Sequence, residues 1–136
     1  MLERDAIFRD RLVGLMSALN GAEGKDKKLR RTIGAYARRL FTEAGARSWV
    51  DLKERADGPT YDSMLKLFQT QSEIASKSGD THAVRTFEVL AISLIARRQT
   101  QADLLPGISF LDKFIDGCVS AARRSGTGIL PIPRTH

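Results

Sequence analysis

Apolar residues recur at every third or fourth position along most of this chain, and that spacing constrains its fold more than any other feature. It places one apolar stripe along each predicted helix. The first helix carries Ile7, Phe8, Leu12, Leu15, Met16 and Leu19, and the second carries Leu29, Ile33, Tyr36 and Leu40. No segment shows the clear alternation of apolar and polar residues that is typical of a half-buried strand. The sequence therefore predicts an all-α protein.

Turn residues divide the pattern into six predicted helices. They cover about residues 3–19, 25–44, a short stretch from 48, 60–78, 81–99 and 106–124. Ser48 with Asp51 has the form of a capping box, and Thr60 is expected to cap the fourth helix. The buried residues of the short third helix are predicted to be Trp49, Val50 and Leu52. The fifth helix is apolar around most of its circumference, which is typical of a central helix.

The length and composition suit one domain. A chain of 136 residues with 42% hydrophobic residues can bury a core without disulfides. We therefore predict a single compact bundle of five to six helices over residues 1–124, with the hydrophobic fifth helix at its centre. Residues 125–136 include two glycines and two prolines, which do not continue a helix, so we expect a flexible or extended tail there.

The positive charge of the chain is concentrated in residues 25–47. Eight basic residues against two acidic ones give this segment a charge of +6, which equals the net charge of the whole protein. On a helical wheel the basic side chains project opposite the apolar stripe of the second helix. The candidate binding residues are Lys27, Lys28, Arg31, Arg38 and Arg39. A local field of this sign attracts polyanions, acidic proteins or anionic surfaces.

Histidines that could serve in catalysis or metal binding are few. The two present are His82 and His136, and neither has the spacing of a metal-ligand pair. Asp80 and His82 can touch, as the two groups of a general-base pair do. The commoner arrangement has Asp80 or Thr81 capping the fifth helix, with His82 exposed on its first turn.

Asp112 and Asp116 lie four residues apart and share a helix face. Paired carboxylates can bind a divalent cation or divide acid and base roles, but a solvated polar face beside Lys113 is the commoner arrangement. Cys118 falls on the apolar stripe of its helix, where a packing role is expected. We therefore predict no catalytic site, no metal and no cofactor.

These features favour a non-catalytic helical binding protein. The first hypothesis is contact with the backbone of DNA or RNA through the basic helix. The alternative is a protein–protein adaptor or regulator that docks an acidic partner, or that uses an apolar groove between the fourth, fifth and sixth helices. The sequence contains no membrane span and no secretory leader, so we expect a cytoplasmic protein. Its oligomeric state is left open.

Overall fold

The computed structural model describes residues 3–56, 58–96 and 102–124. Within these ranges the chain forms six α-helices and no strand, which confirms the all-α bundle. They are α1 (Glu3–Asn20), α2 (Lys27–Ala44), α3 (Trp49–Arg55), α4 (Gly58–Ser78), α5 (Thr81–Ala96) and α6 (Leu105–Arg124). Short 3₁₀ turns occupy Ala22–Lys25 and Ala102–Leu104. The predicted tail, residues 125–136, and the last residues of the predicted fifth helix lie outside the described residues.

Side-chain caps fix the starts of α2, α3 and α5. Asp26 accepts hydrogen bonds from the backbone N–H groups of Lys28 and Leu29, at 2.9 and 3.1 Å. Ser48 accepts one from the N–H of Asp51, and Asp80 accepts one from the N–H of Ala83. Each cap satisfies N–H groups that have no partner inside the helix.

Two of the predicted helix starts differ from the structure. α4 begins at Gly58, so Thr60 lies inside its first turn and is not the cap. The predicted capping box at Ser48 is incomplete, because the carboxylate of Asp51 accepts from the N–H of Arg47 and not from that of Ser48. The predicted end of α2 at residue 44 is confirmed, and Gly45 follows it in the left-handed conformation, with φ of 66°.

The fifth helix is central, as predicted. Its apolar residues from Phe87 to Ala96 are all buried except Ile95, which is half-buried. α4 packs along one side of it after the turn at Gly79, and α2 packs along another. The core formed around α5 draws on every other helix in the described ranges. None of these helices combines the length and the apolar character needed to cross a membrane.

α2 and α6 approach each other closely at one glycine. Gly34 is buried, and a Cβ atom placed on it would overlap the carbonyl oxygen of Cys118 and press on Ala122. A glycine in mid-helix lowers helix stability by about 1 kcal/mol relative to alanine. Here it permits the backbones of α2 and α6 to touch, and this contact sets the position of the basic helix relative to α6.

Two apolar residues assigned to buried faces are exposed. Ile7 on α1 is 52% exposed and Val50 on α3 is 39% exposed. Their neighbours Phe8, Trp49 and Leu52 are buried, as predicted. Helical spacing identifies the apolar stripe, but the edge of that stripe is covered only where another helix happens to reach it.

Candidate nucleic-acid interface

Three of the five predicted binding residues form an exposed cluster on the first half of α2. Lys27, Lys28 and Arg31 are exposed, and none of them forms an ion pair with another described residue. Residues three and four apart on a helix lie on the same face, so these cations share one surface. We call this surface, formed by Lys27, Lys28 and Arg31, the basic face.

The other two predicted residues lie in a different environment. Arg38 and Arg39 are half-buried in the second half of α2. The guanidinium of Arg39 pairs with the carboxylate of Glu43, with 3.1 Å between Nε and Oε1. The positive charge available to a partner is therefore concentrated towards the start of α2 and not spread evenly along it.

A pocket adjoins the basic face where α2 passes α6. It has a volume of about 350 Å³, and its lining residues are Lys27, Arg30, Arg31 and Ala121. Arg30 is half-buried in its wall. One of its terminal nitrogens donates to the carbonyl of Gly24 at 3.1 Å, and its guanidinium carbon lies 5.0 Å from the centre of the Phe114 ring.

The C-terminal turn of α6 carries two further cations. Arg123 and Arg124 are exposed, and they follow Ala121, which lines the pocket, by two and three residues. Cations in the last turn also interact favourably with the helix dipole. The sequence alone did not show whether this helix end lies near α2. Arg97 and Arg98, at the end of the predicted fifth helix, lie outside the described residues.

The acidic residue that precedes the basic face in the sequence has a hydrogen-bond partner on α5. Asp26, the cap of α2, has its second carboxylate oxygen 2.9 Å from Nε2 of His82. The hydrogen bond to His82 lowers the pKa of Asp26 below its ordinary value, and the bond from the Leu29 N–H adds to this. The prediction that His82 is exposed is wrong, because the side chain is half-buried against α2.

The paired carboxylates on α6 are half-buried and engaged by other groups of the bundle. Asp112 forms an ion pair with Lys53, with 2.8 Å between Nζ and Oδ1, and accepts a hydrogen bond from Ser93. Asp116 accepts from the backbone N–H of Trp49 at 3.0 Å, which satisfies the first N–H of α3. The expected solvated face is therefore wrong, and both carboxylates hold α3 in place.

The remaining residue considered for chemistry, Cys118, lies in the core of the bundle. Cys118 is fully buried, and its burial raises the pKa of the thiol to about 12. Within the described ranges no group of three or more His, Cys, Asp or Glu side chains is arranged to hold a metal ion. His136 lies outside those ranges.

The apolar residues of α5 are all at least half-buried. Beside them, a groove of about 320 Å³ between α4 and α5 is lined by Phe68, Phe87 and Ala91 together with polar and charged side chains. Among the described residues, the exposed large apolar side chains are scattered over four helices: Ile7, Val13, Val50, Ile74 and Leu105. A groove of about 250 Å³ lies elsewhere, between α2 and α4, where Leu40, Met64 and Leu67 contribute to its walls.

Arg30 is the binding candidate that the helical wheel missed. It is part of the basic segment, but it projects towards α6 and away from the centre of the basic face. One sequence signal pointed to this position. Gly34 lies one turn later, and a glycine in mid-helix marks a place where another backbone can approach closely.

Comparison with known proteins gives neither a family nor a function. No protein-family model, curated protein or solved structure matches this chain. The function of the basic face is therefore inferred from its own residues and their surroundings.

Proposed function

We propose that this protein is a non-catalytic binding protein that contacts the phosphate backbone of nucleic acid through the basic face. The observation that carries the proposal is the cluster of Lys27, Lys28 and Arg31, exposed and without a carboxylate partner among the described residues. We place this activity in the cytoplasm, where a lone cysteine stays reduced.

The unpaired state of these cations matters for binding. A lysine or arginine already held by a carboxylate gains little from a phosphate, because the existing ion pair has to be broken first. Cations without such partners neutralise phosphates directly and release the counterions condensed on the nucleic acid. Contacts of this kind carry little sequence preference, because phosphates are the same at every position.

Fluorescence anisotropy with labelled DNA, titrated at several salt concentrations, tests the proposal. Lys27→Ala/Arg31→Ala should weaken binding and reduce the slope of log affinity against log salt by about 1 to 2. The matched control is Lys66→Ala/Lys77→Ala, which removes two exposed lysines from α4 and should leave the slope unchanged. Absence of binding by the wild-type protein at low salt, or equal losses in the two variants, would refute the proposal.

A protein partner is the second candidate, and the groove between α2 and α4 favours it. The groove is lined mainly by apolar and small polar side chains, among them Leu40, Met64 and Leu67. A helix with apolar residues on one face could fill it. A substitution at Met64 should weaken binding of such a partner, and salt should change it little. Phosphate binding should instead weaken as salt is added and should not respond to the Met64 substitution.

A further inference from the structure

Arg30 is held on two sides, unlike the cations around it. The carbonyl oxygen of Gly24 accepts one of its N–H bonds at 3.1 Å, and the ring of Phe114 lies beneath its guanidinium at 5.0 Å. Phe110, one turn earlier on α6, packs beside Phe114 with 6.1 Å between the ring centres. The guanidinium is therefore positioned before any ligand arrives.

A guanidinium held in one position can bind a ligand by stacking as well as by its charge. It is flat and weakly hydrated, and the planar bases of single-stranded nucleic acids stack on such groups as they do on aromatic rings. Arg30 forms part of the wall of the 350 Å³ pocket, with Lys27 and Arg31 beside it. The pocket thus places a flat cation beside two other cations that are exposed to solvent.

We propose that the pocket between α2 and α6 binds single-stranded nucleic acid, with an unpaired base against Arg30 and the adjoining phosphates on Lys27 and Arg31. This inference rests on the proposed function. A duplex fits the arrangement less well, because its bases are stacked on one another and cannot reach a side chain without being unstacked. In this arrangement Phe114 is a positioning residue that supports Arg30.

The decisive probe is a short labelled oligothymidylate, compared with an abasic oligomer of equal length and charge. Both carry the same phosphates, and only the first carries bases. We expect the wild-type protein to bind the oligothymidylate about fivefold or more tightly, since stacking on a side chain stabilises each base appreciably. It should also bind it more tightly than a duplex of the same strand length.

Two variants test which side chains cause the preference for oligothymidylate over the abasic oligomer. Arg30→Lys keeps the charge and removes the flat group, so it should bring the affinity for oligothymidylate close to that for the abasic oligomer. Phe114→Leu keeps an apolar side chain beneath Arg30 and should reduce the preference in part. The matched control is Arg11→Lys, which changes an exposed arginine of α1 that does not line the pocket and should leave the preference intact. Circular dichroism of each variant verifies that the bundle is folded.

The outcomes separate this inference from the proposed function. Equal wild-type binding of the two oligomers would overturn the stacking role of Arg30 and leave phosphate binding standing. Retention of the full preference by Arg30→Lys would also overturn it. If neither oligomer binds at low salt, both proposals fail together.

Discussion

Lys53 and Asp112 form an ion pair in the interior of the bundle, with 2.8 Å between the ammonium nitrogen and the carboxylate. The side chain of Lys53 is only 7% exposed and that of Asp112 only 15%. Ser93 joins them, since its backbone carbonyl accepts from Lys53 and its hydroxyl donates to Asp112. The same hydroxyl accepts from the indole N–H of Trp49 at 2.6 Å. One polar network therefore ties α3 to α5 and α6.

Removing one charge of this pair should cost far more than removing both. Asp112→Leu leaves the ammonium of Lys53 buried without a counterion, and we expect the free energy of unfolding to fall by about 3 kcal/mol or more. The double variant Asp112→Leu/Lys53→Met replaces both charges with apolar groups and should recover much of that loss. Urea unfolding followed by circular dichroism measures both values. A double variant as unstable as Asp112→Leu would contradict this account.

Gly34→Ala should destabilise the protein although alanine is the better helix former. The added methyl group overlaps the backbone carbonyl of Cys118, so α2 and α6 have to move apart. Overpacking of this kind typically costs about 1 to 3 kcal/mol. Gly14→Ala is the control: the position is helical, has open space around it, and should gain up to about 1 kcal/mol. Thermal unfolding of the two variants should therefore shift in opposite directions.

Acid should weaken the fold through Asp26. Its pKa in the folded protein lies below the ordinary 3.8, because His82 and then the N–H of Leu29 hydrogen-bond to its ionised form. A carboxyl group with a lowered pKa stabilises the folded state above its unfolded pKa, and this contribution is lost as the pH falls through the folded value. We therefore expect a loss of stability below about pH 4.

Asp26→Asn isolates this contribution, because asparagine also caps helices well but does not titrate. Urea midpoints measured between neutral and acidic pH should fall less steeply for the variant than for the wild type. Asp51 and Asp103 also have lowered pKa values, so some acid sensitivity should persist. Identical pH profiles for the two proteins would mean that Asp26 contributes nothing.

The thiol of Cys118 should be inert in the native protein. Burial raises its pKa to about 12 and removes it from solvent, so at neutral pH it is a protonated thiol without access to reagents. Ellman's reagent should react with it slowly in buffer and rapidly in concentrated urea. Rapid labelling without denaturant would indicate that α6 opens away from α2.

The helices were predictable because their signals are local. Apolar spacing and the caps at Ser48 and Asp80 depend only on neighbouring residues, and these predictions are confirmed. The burial of charged side chains was not predictable, because it depends on contacts between helices that are far apart in the sequence. Nothing near Lys53 in the sequence indicates that it lies in the core, because its counterion, Asp112, is contributed by another helix. The same limitation explains the wrong expectation that Asp112 and Asp116 form a solvated face.

Only part of the candidate site could be predicted from the sequence. The exposure of Lys27, Lys28 and Arg31 follows from the helical wheel, and the pairing of Arg39 with Glu43 follows from their spacing of four. The position of Arg30 depends on how α2 crosses α6, which is a tertiary property. A wheel drawn for one helix does not show that a second helix supplies the ring beneath its side chain.

Trp49 is the only tryptophan of the protein, and its indole is buried in the core, where its N–H donates to the hydroxyl of Ser93. Its fluorescence therefore reports whether α3, α5 and α6 remain assembled, while a label on the nucleic acid reports occupancy of the basic face. Trp49 thus provides an intrinsic fluorescence signal for folding. Loss of binding and loss of structure can be recorded separately in one cuvette, for every variant proposed above.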